Sequence, residues 1–359
     1  TKSFIDKKIS ILSRSLKQDI ILNTEINTEN KIHIDGQLIG ELKGLKFIVE
    51  LTSKTLDTDI KSIKKAARRG IKEELEKRTN EIITNQEISI DANSKIIWKG
   101  NPIAKLKKGH DYLSPKIEII ADESLELETK LKLEGFLEKW FNNYINEILG
   151  DLINLTKQKV ENQYLRALVF QLYEKNGVIK RDEIDTIVKL IPSEERKKLW
   201  KMGIKIGRYH VYLPKMLKPK AVEFRVSLWK IFYNLANRHE IPKFGLNFLI
   251  NKNYEQSFLL LCGFEKFKQY FVRIDILEKL FIKILDNSKD RKFTINAEMM
   301  NLLGCTKENF YKLMTYMDYK KDKTVDTYIF RGEKKKTAKS MRIDKKENPF
   351  KKLLSLNIK

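Results

Sequence analysis

The chain is poor in the residue types that build covalent or metal chemistry. Cys262 and Cys305 are its only cysteines and no C-x-x-C occurs, which excludes a disulfide framework and a cysteine-rich zinc site. Its histidines, His33, His110, His210 and His239, lie far apart, without metal-ligand spacing. No long apolar run suggests a membrane span, and no basic start leads into an apolar stretch and cleavage site. The expected setting is a reducing cytoplasm, away from the membrane. G-x-S-x-G, H-E-x-x-H and paired nuclease-type carboxylates are all missing, so no free-standing hydrolase is indicated. There is no Gly-Lys-Ser or Gly-Lys-Thr either, hence no loop to cradle ATP phosphates. Asp122–Glu123 and Asp182–Glu183 lack the preceding buried strand that would make them a Mg²⁺ site.

Acid is also scarce relative to base. Against 71 Lys and Arg stand 48 Asp and Glu, a formal net charge of +23. Such an excess favours polyanions, because each phosphate neutralised by Lys or Arg releases condensed counterions. A hydrophobic content of 42% over 359 residues supports folded cores, and this length accommodates two or three domains.

The first third repeats itself. Lys31–Ile39 aligns with Lys95–Ile103, each alternating apolar and polar residues around a turn glycine, Gly36 or Gly100. A helical segment precedes each copy, Ser3–Gln18 and Asp59–Ile83, and an isolated hairpin needs such cover. In the second helix Ile60, Ile63, Ala67, Ile71 and Leu75 mark the buried side. Lys61, Lys64, Lys65, Arg68, Arg69 and Lys72 share the opposite stripe. A solvated face usually mixes signs, so this stripe is a candidate phosphate contact.

Leu133, Phe136, Leu137, Trp140, Phe141, Tyr144, Ile145 and Ile148 keep helical spacing, which makes Trp140 and Phe141 core residues rather than a stacking platform. Tyr164–Lys175 reads as a helix stopped by Gly177, Asp182 caps a short helix to Leu190, and Pro192–Ser193 begins another that ends near Gly203. Ile204–Leu213 then alternates. Three helices and an extended ribbon suggest a winged-helix-like module. A similar order recurs in Asn296–Leu303, Thr306–Met317 and Thr324–Arg331, after amphipathic helices expected at Lys220–Arg238 and Phe271–Leu285. Arg273 and Asp275 read as an ion pair, and Met299, Met300, Met314 and Met317 as core. The expected fold is α+β and mainly α-helical: tandem helix-plus-β-hairpin repeats in 1–110, a helical module in 111–219, another in 220–331, and a basic tail in 332–359.

Gly203–Pro219, GIKIGRYHVYLPKMLKP, is the most unusual stretch. Within it Arg208, His210 and Tyr212 share one parity of the ribbon, opposite Tyr209, Val211 and Leu213. Together with Lys218 they are candidates to hold a single strand by charge and aromatic stacking. The stretch resembles the C-terminal region of bacterial, chiefly alphaproteobacterial, relatives of the mitochondrial RNA-degradosome helicase, a superfamily 2 enzyme. Phe4–Leu16, Ile32–Phe47, Ile97–Leu106, Ser114–Leu125, Gly263–Leu280 and Met299–Phe310 agree with it in order. The resemblance implies that this chain is the post-motor part of an ATP-dependent RNA or DNA helicase. ATP and Mg²⁺ would belong to upstream motor domains, and this chain would hold no cofactor and hydrolyse no ATP. Expected partners are single-stranded RNA or DNA and those motor domains in cis. An alternative reading is a docking scaffold for a nuclease or ribosomal partner.

Overall fold

The computed structural model describes residues 24–34, 37–49, 57–85, 87–158, 160–235, 240–250, 254–290, 292–322 and 326–329. The expected helix Ser3–Gln18 and the basic tail 332–359 lie outside them. The described chain is α+β and mainly helical, and it divides into two units. One holds the residues up to Phe244 with Ser257–Gly263; the other holds Gly245–Gln256 and the residues from Phe264. The division thus falls at 244–245, where the sequence places a boundary at 219–220.

The internal repeat is real and larger than its sequence signature. Strands β1 (Thr24–Ile26), β2 (Lys31–Ile34), β3 (Gln37–Lys43) and β4 (Lys46–Val49) form one antiparallel sheet in that order. After helix α1 (Asp57–Asn85), strands β5 (Ile88–Ile90), β6 (Lys95–Trp98), β7 (Asn101–Asp111) and β8 (Ser114–Ile119) form a second. Register is shared: Ile32 faces Gly40 and His33 faces Leu38, as Ile96 faces Ala104 and Ile97 faces Pro102, with the same bulge between. Turn chemistry is shared as well. Asn27 Oδ1 accepts from the N–H groups of Glu29 (3.0 Å) and Lys31 (2.8 Å). Asp91 Oδ1 does the same for Asn93 (2.9 Å) and Lys95 (2.7 Å). Each turn closes through a left-handed residue, Asn30 or Ser94.

The copies differ at Gly40, whose counterpart is Ala104. A Cβ on Gly40 would lie 2.3 Å from the Ile48 carbonyl oxygen and 2.7 Å from Phe47 Cε2. We expect Gly40→Ala to destabilise the protein by about 1–3 kcal/mol through overpacking. Ala104→Gly should lose only ~0.5–1 kcal/mol, the backbone-entropy difference. Urea denaturation of both variants decides; equal small effects would refute this asymmetry.

Ala67, Ile71 and Leu75 are fully buried on α1, as their spacing predicts. The side chains of Ile60 and Ile63 are outside the described residues. Further along, the Arg78 guanidinium donates to the carbonyls of Leu42 and Gly44 and to Asn30 Oδ1, fastening α1 to the first sheet. Helix α2 (Leu127–Lys157) buries Leu133, Leu137, Phe141, Ile145, Leu149, Leu152 and Leu155 along one side and bends at Leu149, beside Gly150. Trp140 stacks on Tyr144, and Phe141 meets Phe224 edge-on, so both are packing residues.

The second unit contains a sheet ordered β12 (Phe248–Ile250), β14 (Tyr270–Arg273), β13 (Phe264–Phe267). The helix expected over Phe271–Leu285 begins only at Ile274, because Phe271–Arg273 pair as strand with both neighbours. The Arg273–Asp275 pair forms, with contacts of 2.6 and 2.7 Å. Burial works to raise the Asp275 carboxyl, but Arg273, aided by Lys279 and the Ile276 N–H, outweighs it and holds the group below its ordinary value. This pair therefore stabilises the fold above the ordinary carboxyl value of 3.8, and the contribution disappears as pH falls through the lowered folded value. Comparing urea midpoints at neutral and acid pH, Asp275→Asn should reduce the acid loss of stability by on the order of 1 kcal/mol, leaving the share of other lowered carboxyls such as Asp185.

Candidate nucleic-acid interface

Within the first unit, one module has three helices and a three-stranded sheet. Helix α3 (Gln163–Glu174) is started by Asn162, whose Oδ1 accepts from the N–H groups of Tyr164 and Leu165, both at 3.0 Å. It ends where Gly177, at a φ of 87°, returns its N–H to the Leu172 carbonyl. Strand β9 (Val178–Lys180) follows, a short apolar run easily missed in sequence, and passes straight into helix α4 (Arg181–Leu190). The expected cap at Asp182 does not form, because no loop separates strand from helix. Asp182 instead lies in the first turn, where its charge suits the helix dipole.

Helix α5 (Ser193–Lys201) comes next, followed by β10 (Lys205–Ile206), a turn over 207–209 and β11 (His210–Tyr212). The sheet order is β10-β11-β9, all antiparallel. This is helix, strand, helix, helix and a two-stranded wing, an order like that of winged-helix modules. The wing turn is tied to α4, since Arg181 donates its N–H to the Tyr209 carbonyl at 2.7 Å and its guanidinium to that of Gly207 at 3.1 Å.

The second unit contains the same order. Helix α8 (Ile274–Asp286), strand β16 (Lys292–Thr294), helices α9 (Ala297–Leu303) and α10 (Lys307–Tyr316), and strands β17 (Lys320–Lys321) and β18 (Thr327–Ile329) appear in turn. Helices α6 (Pro219–Tyr233) and α7 (Gln256–Leu261) precede them in the chain and, but for Gln256, belong to the first unit. Strand β18 sits between β16 and β17, as β11 sits between β9 and β10, and the short β15 (Ser288–Lys289) extends the β16 edge. Asn296 and Thr306 cap α9 and α10, and Gly304 closes α9 in the left-handed region. Met299 and Met314 are fully buried, with Met300 and Met317 half-buried.

The sequence-derived candidates distribute unevenly. His210 and Tyr212, expected on the exposed parity of the ribbon, are 1% and 4% accessible. Alternation exposes one parity only when a strand has one bare face. β11 is the central strand of its sheet, and Val211 and Leu213 on the other parity are buried too. Arg208 stands at the wing tip, half-buried, and Lys218 is exposed just before α6. Lys72 is ion-paired with Glu126, which raises the lysine above its ordinary value. The side chains of Lys61, Lys64, Lys65, Arg68 and Arg69 are outside the described residues.

The better candidate face is one that no single motif announces. On α5, Ser193, Arg196, Lys197, Trp200 and Lys201 follow i, i+3, i+4, i+7 and i+8, and all are exposed. Leu199 on the other side is buried against the module. No acidic residue lies on this stripe. Arg196 also closes α4, donating to the carbonyls of Ile191 and Val188 at 3.2 Å each. Lys198, off the stripe, pairs with Glu195 at 2.7 Å. Among the described residues Lys197 and Lys201 have no ion-pair partner. Exposed Lys205 on β10 adds a further cation.

Helix α10, the equivalent helix of the second module, differs. Its exposed cations are compensated within the module, Lys307 by Asp326 at 3.3 Å and Lys312 by Glu308. The Tyr311 hydroxyl also reaches Asp326, and Lys307 and Lys321 flank its ring. This is a mixed-sign surface, whereas on α5 Lys197 and Lys201 have no acidic partner among the described residues.

Other chemistry finds little support. Burial pushes the Cys262 thiol up to about 12 and that of Cys305 up to about 11, so both stay protonated near neutral pH. Among the described residues no group of three or more His, Cys, Asp or Glu gathers to hold a metal, and no helix is long and apolar enough to cross a membrane.

No protein-family profile matches this chain, and no solved structure matches it. An uncharacterized protein of Mycoplasma genitalium is 26% identical over 200 residues, half of this chain. The matched region spans about half the length of that relative.

Proposed function

We propose that this chain is a nucleic-acid-binding region whose principal contact surface is the exposed face of α5 with the adjoining wing. The observation that carries the reading is the pair Lys197 and Lys201. They are exposed, lack acidic partners among the described residues, and lie on the same helical stripe of a winged-helix module. Such charges repel one another unless a polyanion meets them, and phosphates at helical spacing do so. Lys205 and Arg208 extend the cationic surface along the wing. The helicase resemblance makes this the strand-handling part of an ATP-driven enzyme whose motor domains lie upstream, with RNA turnover or processing as its setting. Turnover of ATP is assigned to those domains, and the residues of this chain bind and position the strand.

The test is fluorescence anisotropy with labelled RNA and DNA, single- and double-stranded, at rising salt. Affinity should fall linearly on a log–log plot, with a slope of about 0.7 per phosphate contacted in single strands and about 0.9 in duplex. Salt-independent or negligible binding, with a stably co-purifying protein, would support the docking-scaffold alternative.

A further inference from the structure

We infer that Trp200 is a base-stacking residue, and that the α5 face therefore selects nucleic acid carrying an unpaired base beside a duplex: a fork, a bulge or a frayed end. The inference rests on α5 being the nucleic-acid contact. Lone exposed apolar residues are common and mean little. Trp200 is marked by its surroundings: its indole is 75% accessible, and Lys197 and Lys201 stand with it on one acid-free stripe. Any nucleic acid whose phosphates meet those two ammonium groups brings the indole to its surface.

What the indole then finds depends on the nucleic acid. A continuous duplex offers phosphates, sugars and polar base edges, because each base face is covered by its neighbours. An unstacked base offers a bare π-face, and stacking it on an aromatic side chain contributes about 1–3 kcal/mol. The stripe is therefore complementary to charge and an open base face together, which a junction presents and an intact duplex does not. Trp200 lies at the end of α5, where its carbonyl accepts from the Gly203 N–H as the chain turns into the wing. In the chain Trp200 is followed closely by Lys205 on β10 and Arg208 in the wing turn.

The experiment compares one duplex in two forms, blunt-ended and with an unpaired extension, against the wild type, Trp200→Ala, Trp200→Phe and Lys197→Glu/Lys201→Glu. Wild-type protein should bind the extended form more tightly, with quenching of indole fluorescence that Trp200→Phe removes. Trp200→Ala should leave blunt-duplex affinity within about twofold and lose roughly 5–150-fold on the extended form, the fold-change equivalent of one stack. Trp200→Phe should recover most of that preference. An equal loss on both forms, or an unchanged preference in Trp200→Ala, overturns the stacking assignment while leaving the cationic face intact. Charge reversal without effect on either form overturns the interface, and the inference with it.

Discussion

Lys197→Glu combined with Lys201→Glu should weaken nucleic-acid binding by roughly ten- to a hundred-fold at low salt, with the fold unchanged. Both side chains are exposed and support no ion pair among the described residues, so their reversal should cost the fold only about 0.5–1 kcal/mol, from like charges one turn apart and from the helix dipole at Lys201. A charge-assisted contact contributes about 1.5–3 kcal/mol when sheltered and less at an exposed, screened site, which sets the lower figure. The salt slope is the sharper readout. Removing two phosphate contacts should lower it by about 1.4 for single strands, or about 1.8 for duplex. Total charge changes too, so the control is Lys132→Glu with Lys312→Glu, an equal drop in net charge placed elsewhere. Both control lysines pair with a glutamate one helical turn away, Glu128 and Glu308. If the control pair weakens binding as much as the α5 pair, attraction is diffuse and the α5 face is not the contact surface.

Arg225→Met should cost about 3–5 kcal/mol of stability, seen as a lower urea midpoint. Arg225 on α6 is completely buried and, among the described residues, forms no ion pair with a carboxylate. Its guanidinium donates to the carbonyls of Asn176 (2.5 Å), Met216 (2.5 Å) and Leu261 (3.0 Å), while its Nε is buried without a partner. Three segments meet there: the turn that launches β9, the 3₁₀ turn Pro214–Leu217, and the end of α7. Methionine fills similar space but donates no hydrogen bond, leaving the buried carbonyls of Met216 and Leu261 unsatisfied at roughly 1–3 kcal/mol each, and the part-buried one of Asn176 at less. A domain's whole margin is only about 5–15 kcal/mol, so the loss should be plain in any unfolding curve. Arg225→Lys keeps the charge yet cannot present a planar fork to three acceptors, and is expected to recover only part of the loss. A methionine variant within about 1 kcal/mol of wild type would mean that relaxation or water satisfies those carbonyls. Tyr112 donates to the Arg225 backbone carbonyl at 2.6 Å, so the same node also fastens the β7–β8 turn to α6.

Much of the architecture was legible where local signals agree. The Asn296, Thr306, Gly177, Gly203 and Gly304 positions punctuate helices in sequence as they do in the structure. The repeat was visible in its central hairpin only. Of its outer strands, β1 and β5 have only three residues each, and the pairing of β4 and β8 with β3 and β7 is not written in their own residues. Strand β9 is likewise defined by β11, with which it pairs.

Sequence by itself determined the positive charge, the absence of sulfur and metal chemistry motifs, the duplicated hairpin and the succession of helices before each C-terminal ribbon, but not the strands β9 and β16 set between those helices. These follow from composition and from the periodicity of neighbouring residues, which no partner is needed to establish. Tertiary structure alone decided which polar residues face solvent and which cations are compensated. His210 and Tyr212 are buried because β11 runs between two other strands and its two faces are both packed. Lys307 is neutralised because the chain entering β18 brings Asp326 to α10, while among the described residues no acid pairs with Lys197 or Lys201. Charge is carried by the residue, but whether it remains available to a phosphate depends on what the fold places beside it.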